Sequence, residues 1–458
     1  MKIIILGSGQ VGLSMAEILS REKNDVTLVD NDESILEGIQ DRLDIRTVTG
    51  SASYPNIIAQ AGGEDADLIL AVTNHDEVNM AACQIAWSLF KTPKKIARIR
   101  ASEYLAHPEI FCREAVPIDV IISPEALVTE QIVRLIEYPG ALQVVDFADG
   151  KIRLVGIKAD SDSPLVGHPI RELREHLPGV DTRVAAIYRG NSPIIPQGDT
   201  VIHPDDEVFF VAARDHITQV MSELQRIDKP GRRIILAGAG NIGFRLAQTL
   251  EKYNYHTKLI ERDHRRARFV SEHLENSVVL HGSAADEELL LQENIESTEV
   301  FCSLTNDDEA NILSAMLAKR LGAHRVISLV NRSAYVDLIE SSVLDIALSP
   351  RTVTIGALLT HIRRGDVVAV HSLRRGAAEA IEAIAHGDSN TSRVVGRKVE
   401  DIELPKGASL GAILRGDEVL IAHDATVIEP EDHVILFVMD KSHIPQIERL
   451  FQVSAIFI

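Results

Sequence analysis

An apolar run that breaks abruptly into glycines occurs twice in this chain, as IIILGSGQVG at residues 3–12 and as IILAGAGNIG at 234–243. No other feature restricts the fold so tightly. The glycines are offset by 231 residues (238 − 7), and more of the sequence returns at nearly the same distance. VTGSAS at 48–53 recurs as LHGSAA at 280–285, and VTNHDEVNMAACQIA at 72–86 as LTNDDEANILSAMLA at 304–318, with six of fifteen positions identical. Later, VGHPIREL at 166–173 resembles VGRKVEDI at 395–402, and DTVIHPDDEVFFV at 199–211 resembles ATVIEPEDHVILFV at 425–438. The chain is a tandem duplication in which each half holds a large unit followed by a small one. A polar hinge, RIDKPGRR at 226–233, joins the halves, and its Pro-Gly pair signals a turn.

Within each large unit, short β-branched runs alternate with helix-length amphipathic segments. In the first half the runs are KIIILG, DVTLVD, IRTVTG, ADLILAVT and KKIARIR. Parallel strands need crossover helices to join them, so the alternation predicts an α/β fold with a doubly wound parallel sheet, Rossmann-like, in each half. The small units are richer in strands and turns and predict compact α+β subdomains. SPEALVTEQIVRLIEY at 123–138 and SPRTVTIGALLTHIRR at 349–364 hold the same place in the two halves, and each predicts a helix linking large unit to small.

Charged Lys2 followed by Ile3, Ile4, Ile5 and Leu6 mimics the start of a secretion signal. Gly7, Gly9 and Gly12 end the run too soon for one. The longest apolar stretches, such as HVILFVM at 433–439, are strand-sized, well short of the roughly 18 residues that cross a bilayer. A net charge of −20 argues against nucleic acid and against anionic lipid as direct partners. Three cysteines without paired spacing fit a reducing compartment.

A glycine loop between strand and helix is weak evidence until its context is added. The first glycine allows the tight turn, the second lets a pyrophosphate approach the backbone, and the third lets helix and sheet pack closely. The helix N-terminus then offers N–H groups to the phosphates. Each loop is followed, 18 residues after its last glycine, by an acid closing the second strand: Asp30 after Gly12 and Glu261 after Gly243. A carboxylate there accepts from ribose hydroxyls and repels a 2′-phosphate, so NAD, ATP and ADP are favoured over NADP. In the second half ERDHRRAR (261–268) crowds arginines round the acid, either to recruit a phosphate or to solvate a helix face. Ser51 should follow the third strand near the adenosine. Thr73 and Asn74 follow the fourth, near phosphates or second sugar, or simply cap a helix. Thr305 and Asn306 repeat them. Arg98 and Arg100, on the fifth strand, alternate with Ile99 and suit something anionic. The matching stretch, ISLVNR, lacks them, so the two sites are unequal.

No catalytic set is visible. His75 is not reproduced in the second copy, where an aspartate takes its place, and its plain role is a solvent-facing residue on a first helical turn. The chain has no phosphate-binding G-x-x-x-x-G-K-[ST] loop, no H-E-x-x-H pair and no G-x-S-x-G elbow. His168, His203 and His433 fall at turns of the small units, and their counterparts are Arg397 or Lys398, Glu429 and Glu207, so a metal site built from them would not survive between the copies. Cys83 and Cys302 read as core residues of apolar helices. The apolar tail VSAIFI at 453–458 suits either a last strand or a subunit contact.

The order G-S-G-Q-V-G, Asp30, GSAS, VTNHDEVNM and a strand-rich module, all doubled, resembles the RCK (KTN) family that regulates potassium conductance. The resemblance covers essentially the whole chain. It implies nucleotide-binding N-domains at 1–139 and 231–366, each with its crossover helix, and C-terminal subdomains at 140–225 and 367–458. It further implies a non-enzymatic, nucleotide-sensing regulatory subunit binding NAD/NADH and ATP or ADP with opposed effects. Such a subunit forms a homotetrameric ring on the cytoplasmic face of an integral membrane potassium transporter subunit of the Trk type, with no membrane insertion and no nucleic acid. The binding residues carried over are Gly7, Ser8, Gly9, Gln10, Val11 and Gly12, then Asp30, Ser51, Thr73, Asn74 and Arg98, with Arg100 beside it. Their second-half counterparts are Gly238, Ala239, Gly240, Asn241, Ile242 and Gly243, then Glu261, Ser283, Thr305 and Asn306. The rival reading is a soluble NAD-dependent oxidoreductase with a duplicated cofactor domain, and a third is a scaffold whose loops bind nothing.

Overall fold

The computed structural model describes residues 1–225, 232–332, 335, 344–362, 367–374 and 377–452. Most of the Pro-Gly hinge and all of the tail at 453–458 lie outside the described residues.

Apolar runs become buried strands. In the first half β1 (Lys2–Leu6), β2 (Asp25–Asp30), β3 (Arg46–Thr49), β4 (Leu68–Ala71), β5 (Lys94–Arg98) and β6 (Val120–Ile122) form one parallel sheet in the order β3-β2-β1-β4-β5-β6. Ile3, Ile5, Leu6, Leu68 and Leu70 are at most 1% exposed, because helices cover both faces and inner parallel strands turn no side to water. Four helices matter here: α1 (Gln10–Arg21), α2 (Glu33–Gln40), α3 (Asp76–Ile85) and α4 (Pro124–Glu137). Asp32 starts α2 by accepting from the backbone N–H groups of Ser34 and Ile35.

The first small subdomain is an antiparallel sheet of β7 (Ala141–Phe147), β8 (Ile152–Lys158), β9 (Thr182–Arg189), β10 (Ser192–Ile194) and β11 (Glu207–Ala213), in the order β10-β9-β11-β8-β7. The second half repeats the whole plan. Its parallel sheet holds β12 (Arg233–Ala237), β13 (His256–Glu261), β14 (Val278–His281), β15 (Val300–Ser303), β16 (Arg325–Leu329) and β17 (Ile346–Leu348), in the order β14-β13-β12-β15-β16-β17. Helices α5 (Asn241–Lys252), α6 (His264–Ser271), α7 (Asp308–Arg320) and α8 (Pro350–Ile362) match α1 to α4. The second antiparallel sheet, β18 (Val367–Leu373), β19 (Ala378–Ile384), β20 (Ala408–Arg415), β21 (Glu418–Ile421) and β22 (His433–Val438), runs β18-β19-β22-β20-β21, the same path as the first.

Contacts divide the chain differently from the repeat. One compact unit is Met1–Leu127 with Val353–His361, so it takes most of α8 from the other half. The other is Val128–Thr352 with Ile362–Ile458. Within the latter, Arg325 at the start of β16 donates to the carbonyl of Leu135 at 2.7 Å, a group that the end of α4 leaves open, and to that of Ala141 at the start of β7. Burial pushes the pKa of Arg325 down to about 10. The same unit holds both small sheets, which share a core of Phe147, Leu154 and Phe209 against Leu373, Ile435 and Phe437. The buried Glu382 carboxylate also accepts from Ala148 N at 2.9 Å across that core.

Candidate nucleotide sites

In an open α/β sheet, ligands bind beyond the carboxyl ends of the strands where the strand order reverses. Here that point lies between β1, which runs into the glycine loop, and β4, which runs into Thr73 and Asn74. Gly7 turns the chain at φ +105° and donates to Val29 O at 2.8 Å. A Cβ on Gly7 would sit 3.0 Å from the Thr73 Cα, so the loop and the β4 end are pressed together. A Cβ on Gly12 would sit 1.9 Å from Gly7 O, which is why the helix can approach only with glycine there. Gly9 differs. Nothing lies within 4 Å of its Cβ position, so this face of the loop opens on free space. Gly9 is also the N-cap of α1 and provides no side chain to satisfy the first N–H groups of the helix. Gln10 and Val11 open that helix.

Asp30 ends β2, and its carboxylate grips the loop. One oxygen accepts from Ser8 N at 2.6 Å and Ser8 Oγ at 2.7 Å, and the other accepts from Asp32 N at 3.1 Å. The acid read from sequence as a ribose acceptor therefore also fixes the loop conformation, and the oxygen that accepts from Asp32 N keeps a lone pair free. Ser51 stands just past β3, its hydroxyl 3.0 Å from that of Ser53.

Thr73 is organised by a residue that the sequence reading passed over. Asn79, on α3 and fully buried, accepts from Thr73 N at 3.0 Å and Thr73 Oγ1 at 2.7 Å, and donates to Arg98 O at 2.9 Å. It ties the carboxyl ends of β4 and β5 together. Asp76, also buried, accepts from Arg100 N and Ala101 N, both at 2.8 Å. The signal for both was present, since Asp76 and Asn79 recur as Asp308 and Asn311 in a helix where buried polar groups need a purpose. His75 is the exposed N-cap residue of α3, and its side chain caps nothing.

Arg98 ends β5, whereas Ile99 and Arg100 follow the strand rather than belonging to it. The strand stops because the Asp76 carboxylate takes the N–H groups of residues 100 and 101. Arg100 donates to Asn74 O at 2.6 Å. Arg98 is half-buried, and its Nε is fully buried with no hydrogen-bond partner among the described residues. Burial, then the like charge of Arg100, pulls its pKa below the usual arginine range, against the opposing pull of Glu125 and Asp76. A cation in that state suits an anionic ligand.

The second half repeats the scaffold and changes the fittings. Gly238 has φ +105°, a Cβ on Gly243 would meet Gly238 O at 1.9 Å, and Gly240 again faces open space. Glu261 accepts from Ala239 N and from Asp263 N, each at 2.8 Å. Asn241 and Ile242 open α5, and Ser283 Oγ accepts from Ala285 N at 3.2 Å just past β14. Asn311 holds Thr305 (N at 2.9 Å, Oγ1 at 2.6 Å) and donates to Leu329 O at 3.1 Å. The neighbouring Asn306 precedes Asp307, the residue that caps α7. The counterparts of Arg98 and Arg100 are Leu329 and Asn331, so the paired arginines are missing here.

Cys302 lies in strand β15, not a helix, while Cys83 lies in α3; burial pushes both thiols up to about 12. His433 begins β22 rather than a turn, with Nδ1 2.6 Å from the Glu382 carboxylate. Among the described residues no cluster of histidine, cysteine and acids is fit to hold a metal ion, and no helix is long and apolar enough to cross a membrane.

Comparison with known proteins agrees with this plan. The model of the TrkA-N domain matches residues 3–124 and 234–350, and that of the TrkA-C domain matches 154–225 and 389–452. A Trk system potassium uptake protein TrkA from Halomonas elongata is 60% identical over 457 residues, covering 100% of both chains. That of Vibrio alginolyticus is 59% identical over 459 residues, again covering 100% of both. Among solved structures, the RCK domain of GsuK aligns with TM-score 0.62 at 19% identity, covering 98% of this chain and 94% of that one. A GsuK channel described as bound to NAD aligns with TM-score 0.61 at 19% identity, covering 97% of this chain and 78% of that one.

Proposed function

We propose that this chain, which belongs to the family of Trk system potassium uptake proteins, is the nucleotide-sensing regulatory subunit of such a system. In this reading it binds NAD(H), ATP or ADP at its glycine loops and gates a separate membrane subunit that conducts potassium. One observation carries the reading: at the carboxyl edge of the sheet whose glycine loop opens on free space at Gly9, Asn79 holds the end of β5, where the half-buried Arg98 has an Nε without a hydrogen-bond partner among the described residues. The NAD-bound state of the GsuK channel, which shares this fold, supports a dinucleotide in the loop. The lack of a long apolar helix among the described residues, together with a charge of −20, supports attachment to the membrane through a protein partner, on its cytoplasmic face. A homotetrameric ring is the assembly proposed.

Sensing requires that a ligand bind one state better than another. The γ-phosphate is the difference between ATP and ADP, and Arg98 with Arg100 is the cationic pair available to meet it. The pair distinguishes the first half from the second, where Leu329 and Asn331 stand. Discrimination between the two nucleotides therefore belongs to the first half. The acids on the loops, Asp30 and Glu261, are engaged in holding the loop backbone, and the histidine His75 beside the first loop is replaced by an aspartate in the second half, which favours regulation over hydride transfer. A coupling of about 1–3 kcal/mol is typical for such switches, or roughly 5- to 150-fold in affinity. The test is the ratio of ATP to ADP affinity in Arg98→Ala and Arg100→Ala chains. The ratio should collapse in at least one of them; if both variants keep the wild-type ratio, the assignment of the γ-phosphate to these arginines is wrong.

A further inference from the structure

The two loops differ most at the adenosine end, and the difference is one of charge. Residues 30–37 carry Asp30, Asp32, Glu33 and Glu37 and no cation; the matching stretch 261–268 carries Glu261 and Asp263 against Arg262, Arg265, Arg266 and Arg268. Full charges sum to −4 in the first stretch and to +2 (four arginines less two acids) in the second. The carboxyl ends of β2 and β13 therefore present opposite fields at the same place in the same fold.

Four arginines stand within the seven residues that follow Glu261. Arg262 follows that acid directly, and His281, at the end of β14, approaches the Arg262 carbonyl with Nε2 at 3.2 Å. The ring of His264 stands edge-on to that of His281 with centroids 5.2 Å apart. Arg266 is fastened to the loop itself, its Nε donating to Ala239 O at 2.7 Å, and it lies against the rings of Phe244 and Phe269. In the first half these places belong to Asn31, Thr49, Glu33 and Ile35. Among the described residues, the side chains of Arg262 and Arg265 make no hydrogen bond or ion pair, whereas that of Arg268 is paired with Glu272 at 3.0 Å. The Glu261 carboxylate meanwhile has both oxygens on backbone N–H groups.

Resting on the nucleotide reading of the loops, we propose that the second-half site takes a nucleotide whose adenosine ribose carries a phosphomonoester. The first-half site takes the unphosphorylated ribose. Such a phosphate carries roughly −1.5 to −2 charges at neutral pH and is matched by the planar fork of arginine, with Arg262 and Arg266 as donors. Four carboxylates oppose it in the first half. On this proposal an acid after the second strand excludes a ribose phosphate at Asp30, and at Glu261 the neighbouring arginines reverse that preference. A 2′-phosphate, as on NADP, and a 3′-phosphate, as on coenzyme A, share this chemistry.

The probes are 5′-AMP, 2′,5′-ADP and 3′,5′-ADP, titrated calorimetrically into the full chain carrying Gly9→Val, which fills the open face of the first loop and leaves the second site alone. One of the two bisphosphates should bind about tenfold more tightly than 5′-AMP, a preference that weakens with salt and disappears in an added Arg262→Asn change. The bisphosphate that wins identifies the ribose position. The mirror chain, Gly240→Val, should prefer 5′-AMP. If 5′-AMP binds the Gly9→Val chain at least as tightly as both bisphosphates, the proposal is overturned while the nucleotide reading stands. If the folded Gly9→Val chain binds none of the three although the wild type binds 5′-AMP, the second loop is no nucleotide site and both fall for that half.

Discussion

Gly9 and Gly12 lie three residues apart in the same loop, yet side chains added to them should have opposite consequences. At Gly12 a Cβ would stand 1.9 Å from Gly7 O, so helix α1 must retreat by more than an ångström from the β1 turn to restore ordinary contact. Overpacking of that kind costs about 3 kcal/mol, and it loosens the loop that Asp30 holds. Gly12→Ala should lower the thermal transition of the first parallel-sheet domain and lose nucleotide binding along with it. At Gly9 the backbone has φ −61° and ψ 178°, which any L-residue adopts, and no atom lies within 4 Å of the added Cβ. Gly9→Val should cost at most about 1 kcal/mol, the difference between glycine and valine as an N-cap. The isopropyl group would nevertheless fill the space through which a pyrophosphate reaches the N-terminus of α1, and affinity at the first site should fall at least about a hundredfold, equal to about 2.7 kcal/mol. Calorimetric titration with ADP or NAD, alongside thermal unfolding, separates the two variants. A Gly9→Val chain that binds at both sites with wild-type affinity would refute the placement of the phosphates on this loop.

Further perturbations follow from the same geometry. Asn79→Ala strands Thr73 N and the Arg98 carbonyl in a fully buried place, so thermal or urea unfolding should show a loss of about 2–4 kcal/mol, with Asn311→Ala behaving alike in the second half. His371, edge-on to Phe147 in the core shared by the small sheets, is held down to about 4, first by burial and then by the charge of Arg134, against the opposing pull of Asp146. Because its folded pKa lies below the unfolded value near 6.5, the unfolded chain takes up the proton first, and stability should fall by up to about 3 kcal/mol between pH 6.5 and 4. His371→Gln should flatten that part of the stability profile; an unchanged acid limb would show that other groups govern it.

Much of the fold was legible because the sequence states it twice. Each strand of the first parallel sheet except β6 falls in a short run marked by β-branched residues, and β6 is only three residues long, too short to stand out. The glycine turn and the strand-end positions of Asp30 and Thr73 were legible because they are local to a strand end. Asn79 and Asp76 were harder. Their work is to bind the ends of strands that come together only in the folded sheet, and a helix position says nothing of that. The grouping of Val353–His361 with the first parallel sheet, and the shared core of the small sheets, depend on contacts far apart in sequence that no periodicity encodes. Cys302 was misassigned because a short buried parallel strand and a buried helix segment both read as apolar runs.

A chain that senses nucleotide for a membrane partner should be retained by that partner to a degree set by the nucleotide. Affinity purification of the chain from gently solubilised native membranes, once with ATP and once with ADP, with the retained proteins identified and quantified, tests this. The expected result is a multi-spanning potassium transport protein whose recovery differs between the two nucleotides, a difference that Arg98→Ala removes. Recovery of no membrane partner with either nucleotide, or of one retained equally with both, would contradict the account.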